Sequence, residues 1–234
     1  MAIYPTVILP GYLAGARDYF PLQQALEESG CPSRVVPLRV KDWIPTLGGR
    51  AVTPILQALQ ATIAATQAEF ASPKVNLVGH SAGGWIARIY LGSVPYHGQV
   101  WAGRRQIASL VTLGSPHTSQ ERWTLTNLNF VNDHYPGAFW PEISYVCIAG
   151  ESVLGCRWRW TSLPQPWLSW LAYSSYQLTV GVGDIWGDGI TPISAAHLDG
   201  ATNLTIPGIF HSSRGGRPWY GSPPALNTWS GYLQ

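Results

Sequence analysis

A chain of 234 residues that is 46% hydrophobic and only 11% charged can bury an open sheet on both faces, and it has too little charge for a disordered or solubilising tail. Its net charge of +2 arises from 12 Arg and two Lys (Lys41, Lys74) against 12 acidic residues, with no basic stripe, which excludes a nucleic-acid partner. The three cysteines, Cys31, Cys147 and Cys156, are odd in number and irregular in spacing, so neither a disulfide scaffold nor a metal site is expected. Cys147 and Cys156 pair only if a cap folds back over a strand end.

The opening Met1–Pro5 lacks the basic segment, hydrophobic core and cleavage site of a leader, and no run reaches the roughly 18 apolar residues of a membrane span, so the chain reads as cytoplasmic. Thr6–Leu9 is a short apolar run stopped by Pro10-Gly11, a buried strand entering a turn. Asp18 is placed to cap a helix through about Glu28, with Pro21 in its first turn and Gly30 as its stop. Arg34–Leu38 is a second strand, kept short or near an edge by Pro37. Val52, Ile55, Leu56, Leu59 and Ile63 form one apolar stripe on a helix reaching about Phe70. Val75–Val78 is a third strand, Ala82–Leu91 a third helix, Ile107–Leu113 a fourth strand, Ile143–Ala149 a fifth, and Asn203–Ile206 the last.

Strands alternating with helices of this length predict an α/β domain, a mostly parallel sheet covered on both faces. One domain, 1–234, is expected. The stretches of about 117–141 and 151–189 are long for loops, and they read as cap or lid insertions on the face where the strands end.

Gly79-His80-Ser81-Ala82-Gly83 follows a predicted strand and opens a predicted helix. That is the context of a nucleophile elbow, where small residues two before and two after the serine permit a sharp turn that lifts its hydroxyl above the sheet. The bland reading is a glycine-rich turn whose serine caps the helix. A nucleophilic serine needs a histidine to take its proton and a carboxylate to orient that histidine, in the chain order Ser, acid, His. His80 is set aside as pointing elsewhere, and His97, His117 and His134 come before the late carboxylates. His197 and His211 remain, and His211 sits on the loop after the last strand. Asp188, Asp184, Asp199 and Asp133 are the candidate acids; by itself an Asp-Gly pair is ordinary turn chemistry.

Val7-Ile8-Leu9-Pro10-Gly11-Tyr12, Gly79-His80-Ser81-Ala82-Gly83-Gly84, Thr112-Leu113-Gly114-Ser115-Pro116-His117 and Gly187-Asp188-Gly189-Ile190-Thr191-Pro192 together resemble blocks of lipase-like α/β hydrolases, including lipases and GPI-inositol-deacylase-like proteins. Pro10-Gly11 departs from the usual His-Gly of the first block. The resemblance implies an α/β-hydrolase fold, with Ser81 as nucleophile, Asp188 as acid and His211, in Phe210-His211-Ser212, as base. It places one oxyanion donor at the Tyr12 amide, with Leu13 next in line; the amide of Ala82, after the nucleophile, is the other.

Twelve Trp are several times the usual share, and Trp158, Trp160, Trp167 and Trp170 cluster beside Arg157 and Arg159. This cluster suits a membrane interface, the mouth of an apolar substrate pocket, a partner surface, or a cap packing on itself. The expected activity is hydrolysis of a small-molecule or lipid ester with an apolar acyl or alcohol part, without cofactor. An acyltransferase with the same residues and a non-catalytic receptor on the same fold are the alternatives.

Overall fold

The computed structural model describes residues 3–157 and 166–234. Its strands, in chain order, are β1 (Thr6–Leu9), β2 (Ser33–Val35), β3 (Val75–His80), β4 (Ile107–Leu113), β5 (Ser144–Glu151), β6 (Val153–Leu154), β7 (Trp186–Gly187) and β8 (Thr202–Pro207). The α-helices are α1 (Phe20–Glu28), α2 (Thr53–Glu69), α3 (Ala82–Leu91), α4 (Arg122–His134), α5 (Pro166–Val180), α6 (Ile193–Ala196) and α7 (Pro223–Trp229).

Six strands form one parallel sheet in the order β2-β1-β3-β4-β5-β8, while β6 and β7 make a small antiparallel pair. Side chains alternate across a strand, so each central strand must supply two cores. Val7, Leu9, Leu77, Leu110 and Cys147 join the core that holds Ile55, Leu59 and Ile63 of α2, Trp85 and Ile89 of α3, and Leu128 and Val131 of α4. Ile8, Val78, Val111, Val146 and Ile148 join the opposite core, closed by Leu22 and Leu26 of α1 and by Leu226 and Trp229 of α7. Largely apolar runs in β1, β3 and β4 are therefore the mark of strands buried on both faces, and every residue of all three is buried, the polar Thr6, Asn76, His80, Ser109 and Thr112 included.

The departures from expectation are local. The second strand ends at Val35, before Pro37, and it lies at a sheet edge. The chain around Asp18 first makes a 3-10 turn, Ala16–Tyr19, in which the Asp18 carboxylate accepts from the Gly15 N–H at 3.0 Å, and α1 begins only at Phe20. The long stretches of 117–141 and 151–189 contain α4 and α5. Cys31, Cys147 and Cys156 are free thiols. No helix among the described residues is long and apolar enough to cross a membrane.

Parallel strands that end on one edge of the sheet gather their following loops there, and the β3–α3 turn lies at its centre. Close packing beneath it excludes side chains. A Cβ on Gly83 would lie 2.5 Å from the Leu9 carbonyl oxygen and 3.0 Å from that of Pro10, and one on Gly79 would meet the backbone of Gly83 and Gly84 at 2.7 Å. Gly83→Ala is expected to destabilise the fold by about 1–3 kcal/mol, a melting temperature lower by roughly 2–12 °C. A melting curve unchanged by that methyl group would contradict this account of the turn.

Candidate active site

Ser81 occupies the residue between β3 and α3 with φ 52° and ψ −124°, a backbone state costing about 1–3 kcal/mol for a residue with a Cβ. Several contacts hold it there. Its N–H donates to the Leu113 carbonyl at 2.9 Å, and its carbonyl accepts from the Ser115 hydroxyl and from the Gly84 N–H. The first turn of α3 points its free amide groups toward the space above Ser81, and the helix dipole favours negative charge there.

Asp188 lies in the Gly187–Pro192 turn, 1% exposed. Both of its carboxylate oxygens are saturated with donors. Oδ1 accepts from the Ile190 N–H at 2.9 Å and the Thr191 N–H at 2.7 Å; Oδ2 accepts from His211 Nδ1 at 2.8 Å and the Tyr220 hydroxyl at 2.7 Å. Burial alone would raise its pKa, but the adjacent His211 and these hydrogen bonds outweigh that effect and hold the carboxyl below its ordinary value. The His211 N–H also donates to the Asp188 carbonyl at 2.9 Å, so backbone and ring are held by one residue. Tyr220 is anchored in turn, because its hydroxyl accepts from the Gly150 N–H at 2.8 Å. With Nδ1 donating to Asp188, the His211 ring presents Nε2 as its remaining nitrogen.

Ser81 and His211 line one cavity of about 130 Å³, together with Tyr12, Tyr19, His80 and Trp219. No hydrogen bond joins Ser81 to His211 among the described residues. On its other side Ser81 borders a larger, mainly apolar cleft of about 310 Å³, where Leu13, Trp85, Pro116, Trp123 and Ile190 form the walls. Tyr12 and Ala82 lie against both Ser81 and this cleft, and the Tyr12 N–H donates to no protein group among the described residues. The two long stretches meet here, α4 and its approach contributing Ser119 and Trp123, and α5 contributing Ser175 and Thr179.

The other expected residues are elsewhere. Asp184 is exposed beside Arg157 and Tyr173, while Asp199 and His197 border a separate cleft with His117. Asp133 is exposed on α4. Trp158 and Trp160 lie outside the described residues. Trp167 and Trp170 are exposed on α5, 54% and 43%, and neither lines the cleft beside Ser81: α5 reaches that cleft two turns further on, at Ser175 and Thr179. Trp85 and Trp123 line it instead.

His80 does not point away from the site. Its ring lies 4.8 Å from that of His211, buried, with Nδ1 2.6 Å from the Tyr19 hydroxyl and Nε2 2.7 Å from the His211 carbonyl. Burial, and then the neighbouring His211, depress its pKa to about 3. Tyr19 and Tyr220 were both missed in the sequence. A single hydroxyl arriving from a distant segment has no spacing to betray it.

With this geometry in place the family relations can be read. Residues 48–137, a span that includes α2, the Ser81 turn and α4, match the PGAP1-like alpha/beta domain. Among curated proteins none matches this chain. An alpha/beta hydrolase from Novosphingobium aromaticivorans is 14% identical over 100% of this chain and 90% of its own, with a TM-score of 0.51. The chain carries the α/β-hydrolase fold. The lin2722 product of Listeria innocua is similar over 99% of this chain and 94% of its own, at 13% identity and a TM-score of 0.55. The pyrethroid hydrolase PytH matches 51% of this chain at 18% identity and a TM-score of 0.33, and the chain spans 42% of that protein's length. The lipase-like α/β-hydrolase resemblance read from the sequence thus holds for the fold, and its elbow block falls at the strand–helix turn the fold requires.

Two measurements follow from the buried polar groups. Unfolded His80 takes up a proton near pH 6.5, about its ordinary value, whereas folded His80 stays neutral down to about 3, so stability falls as pH drops through that window. Urea midpoints followed from neutral pH toward the lower limit should decline less steeply for His80→Gln than for wild type; equal slopes would refute the depressed value. Buried His117, also held neutral, keeps its own share of the decline in both proteins. Tyr220→Phe strips one donor from Asp188 and leaves the Gly150 N–H without an acceptor, at a cost of about 1–3 kcal/mol by denaturant unfolding.

Proposed function

We propose that this chain is a serine hydrolase that cleaves carboxylic esters with an apolar arm by way of an acyl-enzyme. The observation that carries the reading is a serine held in a strained strand–helix turn, sharing a cavity with a histidine whose Nδ1 is bonded to a buried, saturated carboxylate. Such a set has a chemical use that a helix cap does not require.

In the proposed cycle His211 Nε2 takes the Ser81 hydroxyl proton as Oγ attacks the ester carbonyl carbon. The carbonyl oxygen becomes an oxyanion received by the Tyr12 and Ala82 amides. The bond to the alcohol oxygen then breaks, and His211 returns its proton to the departing alcohol. Water repeats the sequence on the acyl-Ser81 ester: His211 takes its proton, the acid forms, and Ser81 leaves with the proton from His211. Asp188 remains ionised throughout, fixing the ring and stabilising the imidazolium, as its saturation with donors favours. The Ser81–His211 hydrogen bond is made when substrate closes the site, as in many hydrolases whose catalytic contacts tighten on binding.

The cleft on the α4–α5 side supports the apolar part of the substrate. Leu13, Trp123 and Ile190 stand exposed at its rim, and Trp85 and Pro116 lie deeper. The two helices that border it are the cap of this reading.

Ser81→Ala should lower hydrolysis of p-nitrophenyl esters by about 10⁴-fold or more with an unchanged melting curve, and a fluorophosphonate probe should label wild type at Ser81 and leave the variant unlabelled. A folded Ser81→Ala enzyme with wild-type turnover would sink the proposal. Across an ester series from acetate to stearate, kcat/KM should rise from acetate to the medium-chain esters as methylenes enter the cleft, by up to about fourfold for each one buried. A flat or falling series would assign the cleft no part in substrate binding.

A further inference from the structure

We infer that Tyr19 and His80 are positioning residues that tie the turn bearing the Tyr12 amide to the loop bearing His211, so that oxyanion donor and base are set by one continuous hydrogen-bond chain. The inference rests on the serine-hydrolase reading and extends it to residues outside the Ser81, Asp188 and His211 set.

The chain has three links. The Gly11 N–H donates to the Tyr19 hydroxyl at 2.8 Å, that hydroxyl lies 2.6 Å from His80 Nδ1, and His80 Nε2 lies 2.7 Å from the His211 carbonyl. A carbonyl can only accept, so Nε2 carries the His80 proton. Nδ1 then holds the lone pair, and the Tyr19 hydroxyl must donate to it. That leaves the tyrosine oxygen free to accept from Gly11. With His80 neutral, every group has one role, and no other assignment of protons satisfies all three contacts.

Position makes the chain consequential. Gly11 directly precedes Tyr12, and a Cβ on it would lie 2.9 Å from both His80 Nδ1 and the Ser81 Cβ, so this turn is pressed against the nucleophile. His80 directly precedes Ser81. The third link ends on the backbone of His211, whose N–H and ring are already held by Asp188 while its carbonyl is held, among the described residues, only by His80. Tyr19 is 2% exposed and His80 4%, and Trp219 meets both rings edge-on, at 6.1 Å and 6.0 Å. At this burial the three links are largely shielded from bulk water, and a loop shift of a fraction of an ångström falls on groups that must meet a transition state. A neutral His80 ring also leaves His211 the nearby imidazole that can take a proton without meeting a second positive charge.

The two nitrogens can be tested separately. An asparagine oxygen reproduces the position of Nδ1 and a glutamine nitrogen that of Nε2, so His80→Asn keeps the link to Tyr19 and His80→Gln keeps the link to His211. Kinetics on a p-nitrophenyl ester and inhibition by an alkyl boronic acid, whose serine adduct mimics the tetrahedral intermediate, would be measured for these variants and for Tyr19→Phe. Each single variant should lose about 10- to 100-fold in kcat with KM within about twofold, and boronate affinity should weaken in step with kcat/KM. Tyr19→Phe combined with His80→Gln should be little worse than either alone, because both cut the same link. Folded variants with kcat within about twofold of wild type, or losses confined to KM, would overturn the inference. If Tyr19→Phe fails to fold, His80→Asn and His80→Gln carry the test. A wild type that neither cleaves esters nor takes the fluorophosphonate would remove the serine reading and this inference together, whereas an active wild type with indifferent variants removes the inference alone.

Discussion

A serine held at φ 52° between a buried strand and a buried helix is the constraint around which this molecule is arranged. The backbone resists that state, and it persists only where the surroundings leave the chain no alternative. Here β3 is clamped between β1 and β4, and all ten residues of α3 are buried, so neither end of the turn can relax. Leu113 and Ser115 of the neighbouring strand and its loop take the Ser81 amide and carbonyl. The same clamp dictates the glycines at 79 and 83, since backbone from the first turn of α3 and from the end of β1 fills the volume a methyl group would need. Strain, packing and sequence are three views of one requirement: a hydroxyl must stand above the sheet edge with helix amides behind it.

Around that turn, tyrosine hydroxyls recur in one arrangement. Tyr19 accepts from the Gly11 N–H and bonds His80; Tyr220 accepts from the Gly150 N–H and donates to Asp188; Tyr176 accepts from the Gly189 N–H and donates to the Val153 carbonyl. A phenol is suited to the task because its ring fills core volume while its oxygen both donates and accepts. Each tyrosine thereby satisfies a glycine amide that close packing has cut off from water and passes a hydrogen bond on to a second group. Burial makes the bonds hard to replace, and it pushes all three phenols far from ionisation. The loops at the strand ends are thus fixed by core residues, and the site inherits the rigidity of the core.

Those tyrosines also mark where the sequence stops being readable. The strands were legible because burial on both faces forces short apolar runs, and the Ser81 turn because sterics force small residues at fixed offsets. His211 could be narrowed by chain order, and Asp188 chosen only through resemblance, since an Asp between glycines is equally a turn. The helices α4, α5 and α7 escaped for physical reasons. The inward face of α4 amounts to little more than Asn127, Leu128 and Val131. On α5 apolar residues fall on all sides, which erases the periodicity that would reveal it, and α7 is seven residues opening on two prolines. Tryptophan abundance misdirected the search for the cleft lining: composition flagged the cluster around Trp167 and Trp170, yet the indoles that line the apolar cleft come from α3 and α4. Composition counts side chains without saying which way a helix turns them.

The misjudged residue is His80, and the reason is instructive about paired histidines. Two imidazoles with ring centroids 4.8 Å apart would be interchangeable in solution. In the fold each has its two nitrogens assigned by different partners. His211 has an ionised carboxylate at Nδ1, which supports a positive charge on the ring, and its second nitrogen remains for the cavity. His80 has a phenol at one nitrogen and a carbonyl at the other, both neutral, so burial and the neighbouring His211 outweigh what the His211 carbonyl and the more distant Asp188 lend to a positive ring. On the serine-hydrolase proposal the environments divide the labour: His211 would exchange the proton, and His80 would hold position. On that proposal the choice of base lies in the second partner of each ring and not in the histidine itself.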